Sequence, residues 1–161
     1  MVGRKIALWK HIDQKNISLH DCRATRAMVK APDLYFTYPD GFWVTPANAN
    51  NPSGKTLKTD ASQLRISKYA VSQLYCFKEF RISRRLTGTR RIPLTLETLL
   101  HNLNNGNWTL EFLDTYHKSR SVLFQCWLWS KCGRQHMERQ LIFDCDSIAY
   151  LWNMLREDRP W

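Results

Sequence analysis

The amino-acid sequence predicts an α+β fold, mainly an antiparallel β-sheet of about six to eight strands with one helix packed on a face. Apolar and polar residues alternate along several stretches, short turn sequences separate these stretches, and one stretch has the apolar spacing of a helix. A short helix with a single apolar face must bury that face, so we place it against the sheet.

The first third of the chain is predicted to be β. Leu19–Val29 is rich in small and β-branched residues, and a turn is predicted at Ala31-Pro32-Asp33. Along Leu34–Tyr38 apolar residues recur at every second position, which is typical of a half-buried strand. The turn sequence Pro39-Asp40-Gly41 then separates this strand from Phe42-Trp43-Val44, so we expect a hairpin there. The polar residues 46–59 are expected to form a surface loop.

One helix is well specified. Thr95 is placed to cap it, Leu94 and Leu99 to form a hydrophobic staple, and Gly106 to end it in a left-handed conformation. The apolar stripe has helical spacing and consists of Leu96, Leu99, Leu100 and Leu103. Further strands are predicted on both sides of this helix, at 68–80, 108–112, 122–129, 140–145 and 148–154, with turns at 116–119 and 132–134. The segment 148–154 also fits a helix, but its aromatic residues favour a strand.

Length and composition indicate one folded domain, residues 1–161. The chain is 43% hydrophobic and has seven tryptophans, enough apolar surface for a core. No apolar run approaches the ~20 residues that span a bilayer, and the apolar patch Ile6–Trp9 is too short for a signal-peptide core. We therefore expect a cytoplasmic protein with no membrane partner. Its five scattered cysteines are an odd number, so we expect reduced thiols that are mostly buried.

The densest charge feature is the stretch from Arg81 to Arg91, which carries five arginines and no acid in a chain of net charge +10. Arginine is preferred over lysine where carboxylates or phosphates are bound in bidentate fashion. The stretch is therefore the candidate partner-binding site, with the residues Arg81, Arg84, Arg85, Arg90 and Arg91. The alternative is a basic edge strand, where charge blocks sheet-to-sheet aggregation.

Two groups of residues combine side chains of the kinds that carry out chemistry or bind metal. His20-Asp21-Cys22-Arg23 combines a base with a nucleophile, but alternation along a strand puts neighbours on opposite faces, so we expect a buried Cys22 and an Asp21–Arg23 pair. Zinc would need closer ligand spacing than that of Cys126, Cys132, His136 and Cys145. We therefore predict a protein that is not an enzyme, with no catalytic residue, metal or cofactor.

Several segments together resemble a family of small bacterial proteins from polymorphic-toxin loci. They are LHDCRAT, LYFTYPDGFWV, LTLETLLHNLNNGNWTLEFLDTYH, FQCWLW and IAYLWNML, in this order, and the resemblance covers roughly Ile17–Leu155. Members of that family look like immunity proteins, including those of contact-dependent growth inhibition systems. The shared motifs are structural, so the resemblance implies a fold and a general role but no site residues.

The resemblance implies a protein that binds and neutralises the toxin domain of an exported effector by covering its active site or substrate groove. Many such toxins are nucleases with basic grooves, for which an acidic inhibitor is expected, yet this chain is basic. The alternative function is a basic RNA- or DNA-binding module that stacks bases on exposed aromatics. Against it, Trp108, Phe112, Trp127 and Trp129 lie in the most apolar segments, where we expect them to be in the core.

Overall fold

The computed structural model describes residues 8–132 and 136–161 and confirms the α+β class, with one helix and three antiparallel sheets in these ranges. Of the turn predicted at 132–134, Gly133 and Arg134 lie outside the described residues. The elements in chain order are β1 (His11–Asp13), β2 (Ile17–Ser18), β3 (Cys22–Ala24), β4 (Arg26–Lys30), β5 (Asp33–Tyr38), β6 (Trp43–Val44), β7 (Leu57–Thr59), β8 (Ser62–Ser67), β9 (Ala70–Arg81), β10 (Thr87–Pro93), α1 (Leu96–Asn104), β11 (Trp108–Lys118), β12 (Ser121–Ser130), β13 (His136–Asp144), β14 (Ser147–Trp152) and β15 (Leu155–Pro160).

The strands form a five-stranded sheet of order β1-β14-β8-β5-β4, a six-stranded sheet of order β10-β9-β13-β12-β11-β3, and a four-stranded sheet of order β15-β7-β6-β2. The described chain has fifteen strands, more than the six to eight that the patterns predicted. The difference comes largely from strands of only two or three residues, such as β2 and β6, which are too short to show a period. The last predicted strand is confirmed as β14.

The helix follows its sequence signals closely. The Thr95 hydroxyl accepts a hydrogen bond from the Thr98 backbone N–H at 3.1 Å, and Gly106 adopts a φ of +69° after the last turn. Leu99 and Leu103 are buried, and the helix packs against β4 and β11. The Ala27 backbone N–H donates to Asn104 Oδ1 at 3.1 Å, which ties the end of the helix to the edge strand β4.

The hairpin predicted around Pro39-Asp40-Gly41 is wrong, although the turn itself is present. Gly41 N donates to the Tyr38 carbonyl at 3.1 Å, but the flanking strands β5 and β6 belong to different sheets. Tyr38 and Phe42 are both fully buried and meet edge to face at 6.0 Å, so core burial on both sides of the turn replaces backbone pairing. The hairpin of this region instead joins β4 to β5 through the predicted turn at 31–33, with Lys30 opposite Asp33.

The main core lies between the five-stranded and the six-stranded sheets. Phe36 on β5 meets Phe112 on β11 at 5.7 Å and Phe143 on β13 at 6.4 Å, both edge to face. Phe124 on β12 packs against Phe112 at 5.2 Å. One face of the six-stranded sheet is thus buried against the other sheet, and its opposite face, called the outer face below, is left to solvent.

Two of the five cysteines, Cys22 and Cys126, are fully buried, which leads to a prediction for alkaline pH. Burial raises the pKa of the Cys22 thiol to about 12 and the pKa of the Cys126 thiol well above its usual value. In the unfolded chain both thiols ionise near pH 8.5, so the unfolded state loses protons that the folded state keeps. Stability therefore falls as pH rises above 8.5, by about 2 kcal/mol between pH 8 and pH 10 for Cys22, and Cys126 adds to the loss in the same direction.

Urea unfolding at pH 8 and pH 10 measures this loss. The variant Cys126→Ala is expected to lose less stability than the wild type between pH 8 and pH 10, because one of the two buried thiols is gone. An equal loss in the variant and the wild type would contradict the assignment.

Arg139 is a buried cation whose replacement is expected to stabilise the fold. Its side chain lies on the core face of β13, 3% exposed, between Cys76 on β9 and Cys126 on β12. Its Nη1 donates to the Glu138 carbonyl at 3.1 Å, but Nε has no partner among the described residues. Burial lowers the pKa of this guanidinium, because the charged form has lost solvation.

We expect Arg139→Met to raise the free energy of unfolding by about 1–3 kcal/mol, since methionine fills similar space without an unpaired donor. Denaturant unfolding measures it. Arg90→Met, at an exposed position, removes the same charge and should change stability by less than about 0.5 kcal/mol. A destabilised Arg139→Met would indicate that the guanidinium has a stabilising partner.

Candidate macromolecule-binding surface

The outer face of the six-stranded sheet carries a row of charged and aromatic side chains across neighbouring strands. Glu111 on β11 lies opposite Arg23 on β3 and opposite Trp127 on β12. Trp127 in turn lies opposite Glu138 on β13. Residues that face each other across strands share one side of the sheet, so these four side chains lie together on the side away from the core.

Two tryptophans and a histidine form an aromatic cluster on this face. The His136 ring lies 4.0 Å from the Trp127 ring and 5.0 Å from the Trp129 ring, measured between centroids. The Arg23 guanidinium lies over Trp129 at 5.0 Å. Both tryptophans are only partly buried, so the expectation that they belong to the core is wrong.

The alternation in the segment FQCWLW explains this outcome. Cys126 and Leu128 take the buried positions of β12, which leaves Trp127 and Trp129 on the outer face. Phe112 is fully buried as expected, and Trp108 packs partly buried against the core. The alternation of this segment is present in the sequence, but the apolar character of the whole segment favoured the prediction that both tryptophans are buried.

Glu111 fixes the geometry of this cluster and was not singled out from the sequence. It is 7% exposed and accepts hydrogen bonds from Arg23 Nε at 2.9 Å and from Trp129 Nε1 at 2.6 Å. Arg23 Nη2 also lies 2.8 Å from the same carboxylate oxygen. Three donors thus converge on one carboxylate oxygen, which holds the guanidinium and the indole in one arrangement.

The HDCR segment is arranged differently from the expectation. Cys22 is buried as predicted, and its pKa near 12 keeps the thiol protonated at neutral pH, which makes it a poor nucleophile. The predicted Asp21–Arg23 pair is wrong, because Asp21 lies before the strand with a φ of +57° and contacts His20 Nε2 at 3.6 Å. Arg23 pairs with the sequence-distant Glu111 instead.

The four candidate zinc ligands are dispersed. Cys126 faces the core, whereas His136 lies on the outer face of the same sheet, so the two cannot share an ion. Cys132 is exposed and Cys145 partly buried. Within residues 8–132 and 136–161, histidine, cysteine and acidic side chains form no group of three or more that could hold a metal.

The arginine-rich stretch forms the tip of a β-hairpin made by β9 and β10. We call Lys78–Arg91 the arm, because every residue in it except Gly88 is exposed. The tip is a tight turn in which Ile82 N donates to the Leu86 carbonyl at 2.8 Å. Phe80, Ile82 and Leu86 are 46%, 57% and 54% exposed, so three large apolar side chains lie in solvent among the arginines.

The five predicted arginines lie in the arm but point in different directions. Arg84 and Arg85 are in the turn. Arg91 lies opposite Phe77 and its guanidinium is 4.7 Å from the Tyr75 ring and 5.6 Å from the Phe77 ring, on the outer face. By alternation Arg81 shares that face, while Arg90 lies on the other one. All five are exposed, and none forms an ion pair with a carboxylate in the described chain.

β10 is the edge strand of its sheet, so the alternative interpretation, a charged edge that discourages sheet pairing, also fits this geometry.

Comparison with family models, with curated proteins and with solved structures finds no match to the chain. In the described ranges, no helix is long and apolar enough to cross a bilayer.

Proposed function

We propose that this chain is an immunity protein that binds a cognate toxin domain in the cytoplasm and neutralises it by covering its active site or substrate groove. The observation that carries the proposal is the arm, where five exposed arginines, none in an ion pair among the described residues, lie along the same hairpin as three exposed apolar side chains. A projecting hairpin of this composition fits a concave surface on another protein. The family resemblance of the sequence supports the same role.

The composition of the surface suits tight protein binding. Arginine, tryptophan and tyrosine dominate the binding energy of protein interfaces, and the arm and the outer face present all three. The network of Arg23, Glu111 and Trp129 is already ordered, so less conformational entropy is lost on binding. An interface of standard size, about 1,600 Å² in total, would need to include both the arm and part of the outer face.

The positive charge specifies the chemistry of the contacted surface. Guanidiniums that form no ion pair within the part of the chain that the structure describes gain most from carboxylates supplied by the partner. We therefore propose that the toxin contacts the arm with an acidic surface. Opposite charges would also accelerate encounter, which matters for an inhibitor that must act before the toxin does.

Growth rescue tests the proposal. The proposal expects an exported protein to be encoded immediately upstream, and the C-terminal domain of that protein is expressed alone and together with this chain. The expected result is growth arrest in the first case, normal growth in the second, and a one-to-one complex on purification. A domain that arrests growth equally in both cases, or that forms no complex, would refute the proposal.

A second candidate function, binding of single-stranded nucleic acid, is favoured by one observation. Trp127 and Trp129 are on the outer face and not in the core, with Tyr75, Phe77 and three arginines on the same face. Bases stack on such aromatic side chains while guanidiniums neutralise phosphates. Fluorescence anisotropy with labelled oligo(U) measures this. Micromolar binding that weakens steeply with salt and is lost in Trp127→Ala would favour it.

A further inference from the structure

Strand β11 has an unpaired edge over about half its length. β12 pairs with it from Trp108 to Lys118, but on the other side β3 pairs only with Leu110, Glu111 and Phe112. The chain before β3 turns away, because Cys22 N donates to the Leu19 carbonyl at 2.9 Å. Among the described strands, none pairs with β11 on that side beyond Phe112.

The register shows which backbone groups face this open edge. Residues 119–120 form a two-residue turn, so Lys118 and Ser121 are the hydrogen-bonded pair that closes the hairpin. Hydrogen-bonded and non-hydrogen-bonded pairs alternate along an antiparallel ladder. Thr115 and His117 are therefore non-hydrogen-bonded positions, and both direct their N–H and C=O groups away from β12.

A groove runs along this edge through three adjoining cavities of about 380, 400 and 250 Å³. Leu113–Thr115 line the first, His117 lines the second and third, and Lys118 lines the third. The opposite wall includes β2 at Ile17 and Ser18, which pairs only with β6 among the described strands. The groove thus offers open strand edges on both walls.

The charges along the groove favour an acidic occupant. Lys15, Lys118 and Arg120 line it and are exposed. Two aspartates line the groove. Asp146 is paired with Lys68 at 2.9 Å, and Asp114 has no ion pair among the described residues.

We infer that this groove binds an extended, acidic segment of a partner protein as an added β-strand. The backbone of that segment would hydrogen-bond to Thr115 and His117, and its acidic side chains would pair with Lys15, Lys118 and Arg120. Five residues of strand span about 16 Å, so the site takes a segment of roughly five to seven residues. This site is separate from the arm and the outer face, and its test does not depend on the toxin.

The probe is a phage-displayed library of random dodecamer peptides, selected against the full chain. Two matched pairs of variants locate the binders, Thr115→Pro against Thr115→Ala and His117→Pro against His117→Ala. Proline removes the N–H that faces the groove and leaves the bonds to β12 intact, as proline on an edge strand does. We expect selected peptides to be acidic, to bind both alanine variants within about 3-fold of wild type, and to lose about 10-fold or more with each proline variant.

A second measurement covers the case in which a proline variant fails to fold. The same peptides are made with one backbone N-methyl group at each position in turn, and wild-type protein is used. Strand addition is supported if N-methylation weakens binding at every second position of the peptide. The bound peptide should also slow the hydrogen exchange of the Thr115 and His117 amides. Three outcomes would overturn the inference. They are a selection that yields no binder, selected peptides that bind the proline and alanine variants equally, and selected peptides that bind at the arm.

Discussion

Replacing Phe112 with alanine is expected to reduce the free energy of unfolding by about 3–5 kcal/mol, the largest stability effect we expect from one substitution. Phe112 is fully buried where the two large sheets meet, and its ring packs edge to face against Phe36, Tyr38 and Phe124 at 5.2–5.7 Å. Alanine removes these contacts and leaves a cavity that rigid strands on both sides cannot fill. Since domains are stable by only about 5–15 kcal/mol, denaturant unfolding will show the loss clearly.

Phe77→Ala is the matched control, because it makes the same change in the same sheet on the opposite face. Phe77 is only partly buried on the outer face, where the Arg91 guanidinium lies 5.6 Å from its ring. We expect a stability loss below about 1 kcal/mol. Equal losses for the two variants would contradict the assignment of one buried and one exposed sheet face.

Replacing all five arginines of the arm by glutamine is expected to weaken toxin binding by about 100-fold or more, mostly because association slows and charge pairs are lost. The variant combines Arg81, Arg84, Arg85, Arg90 and Arg91. All five side chains are exposed, so folding and melting temperature should change little. Surface plasmon resonance at two salt concentrations measures the change, and the salt dependence of the association rate should fall as well.

The chain offers a control with the same loss of charge. Exposed cations outside the arm and the groove are replaced by glutamine, namely Lys10, Lys30, Lys55, Lys131 and Arg159. If the arm is the contact, this variant should keep its affinity within about 5-fold, because distant exposed charges are screened. A comparable loss in both variants would show that net charge matters and the arm does not.

Local signals predicted the elements that depend on neighbours in sequence. The helix is an example, because Thr95, the leucine stripe and Gly106 act within one or two turns of each other. The strand β14 was also predicted from its own aromatic residues. The arginine-rich stretch was found from charge alone, and the structure adds that it is a projecting hairpin tip with exposed Phe80, Ile82 and Leu86.

Contacts between distant residues could not be predicted in the same way. The partner of Arg23 is Glu111, 88 positions away, and nothing near Arg23 in sequence indicates it. The crossing of the chain between sheets at Gly41 also depends on distant packing, since a Cβ there would clash with the Thr59 carbonyl oxygen. Local turn chemistry specified a bend at Gly41, but only the tertiary fold decides which strands pair across it.

The uneven environments of the tryptophans give the protein an intrinsic optical label. Trp152 is 1% exposed and its indole N–H donates to Asp13 at 2.6 Å, so its emission reports on unfolding. Trp127 and Trp129 are partly exposed beside His136, which makes their emission sensitive to a ligand covering that side of the molecule. Titrations can therefore be followed without attaching a dye, and single Trp→Phe replacements will separate the two signals.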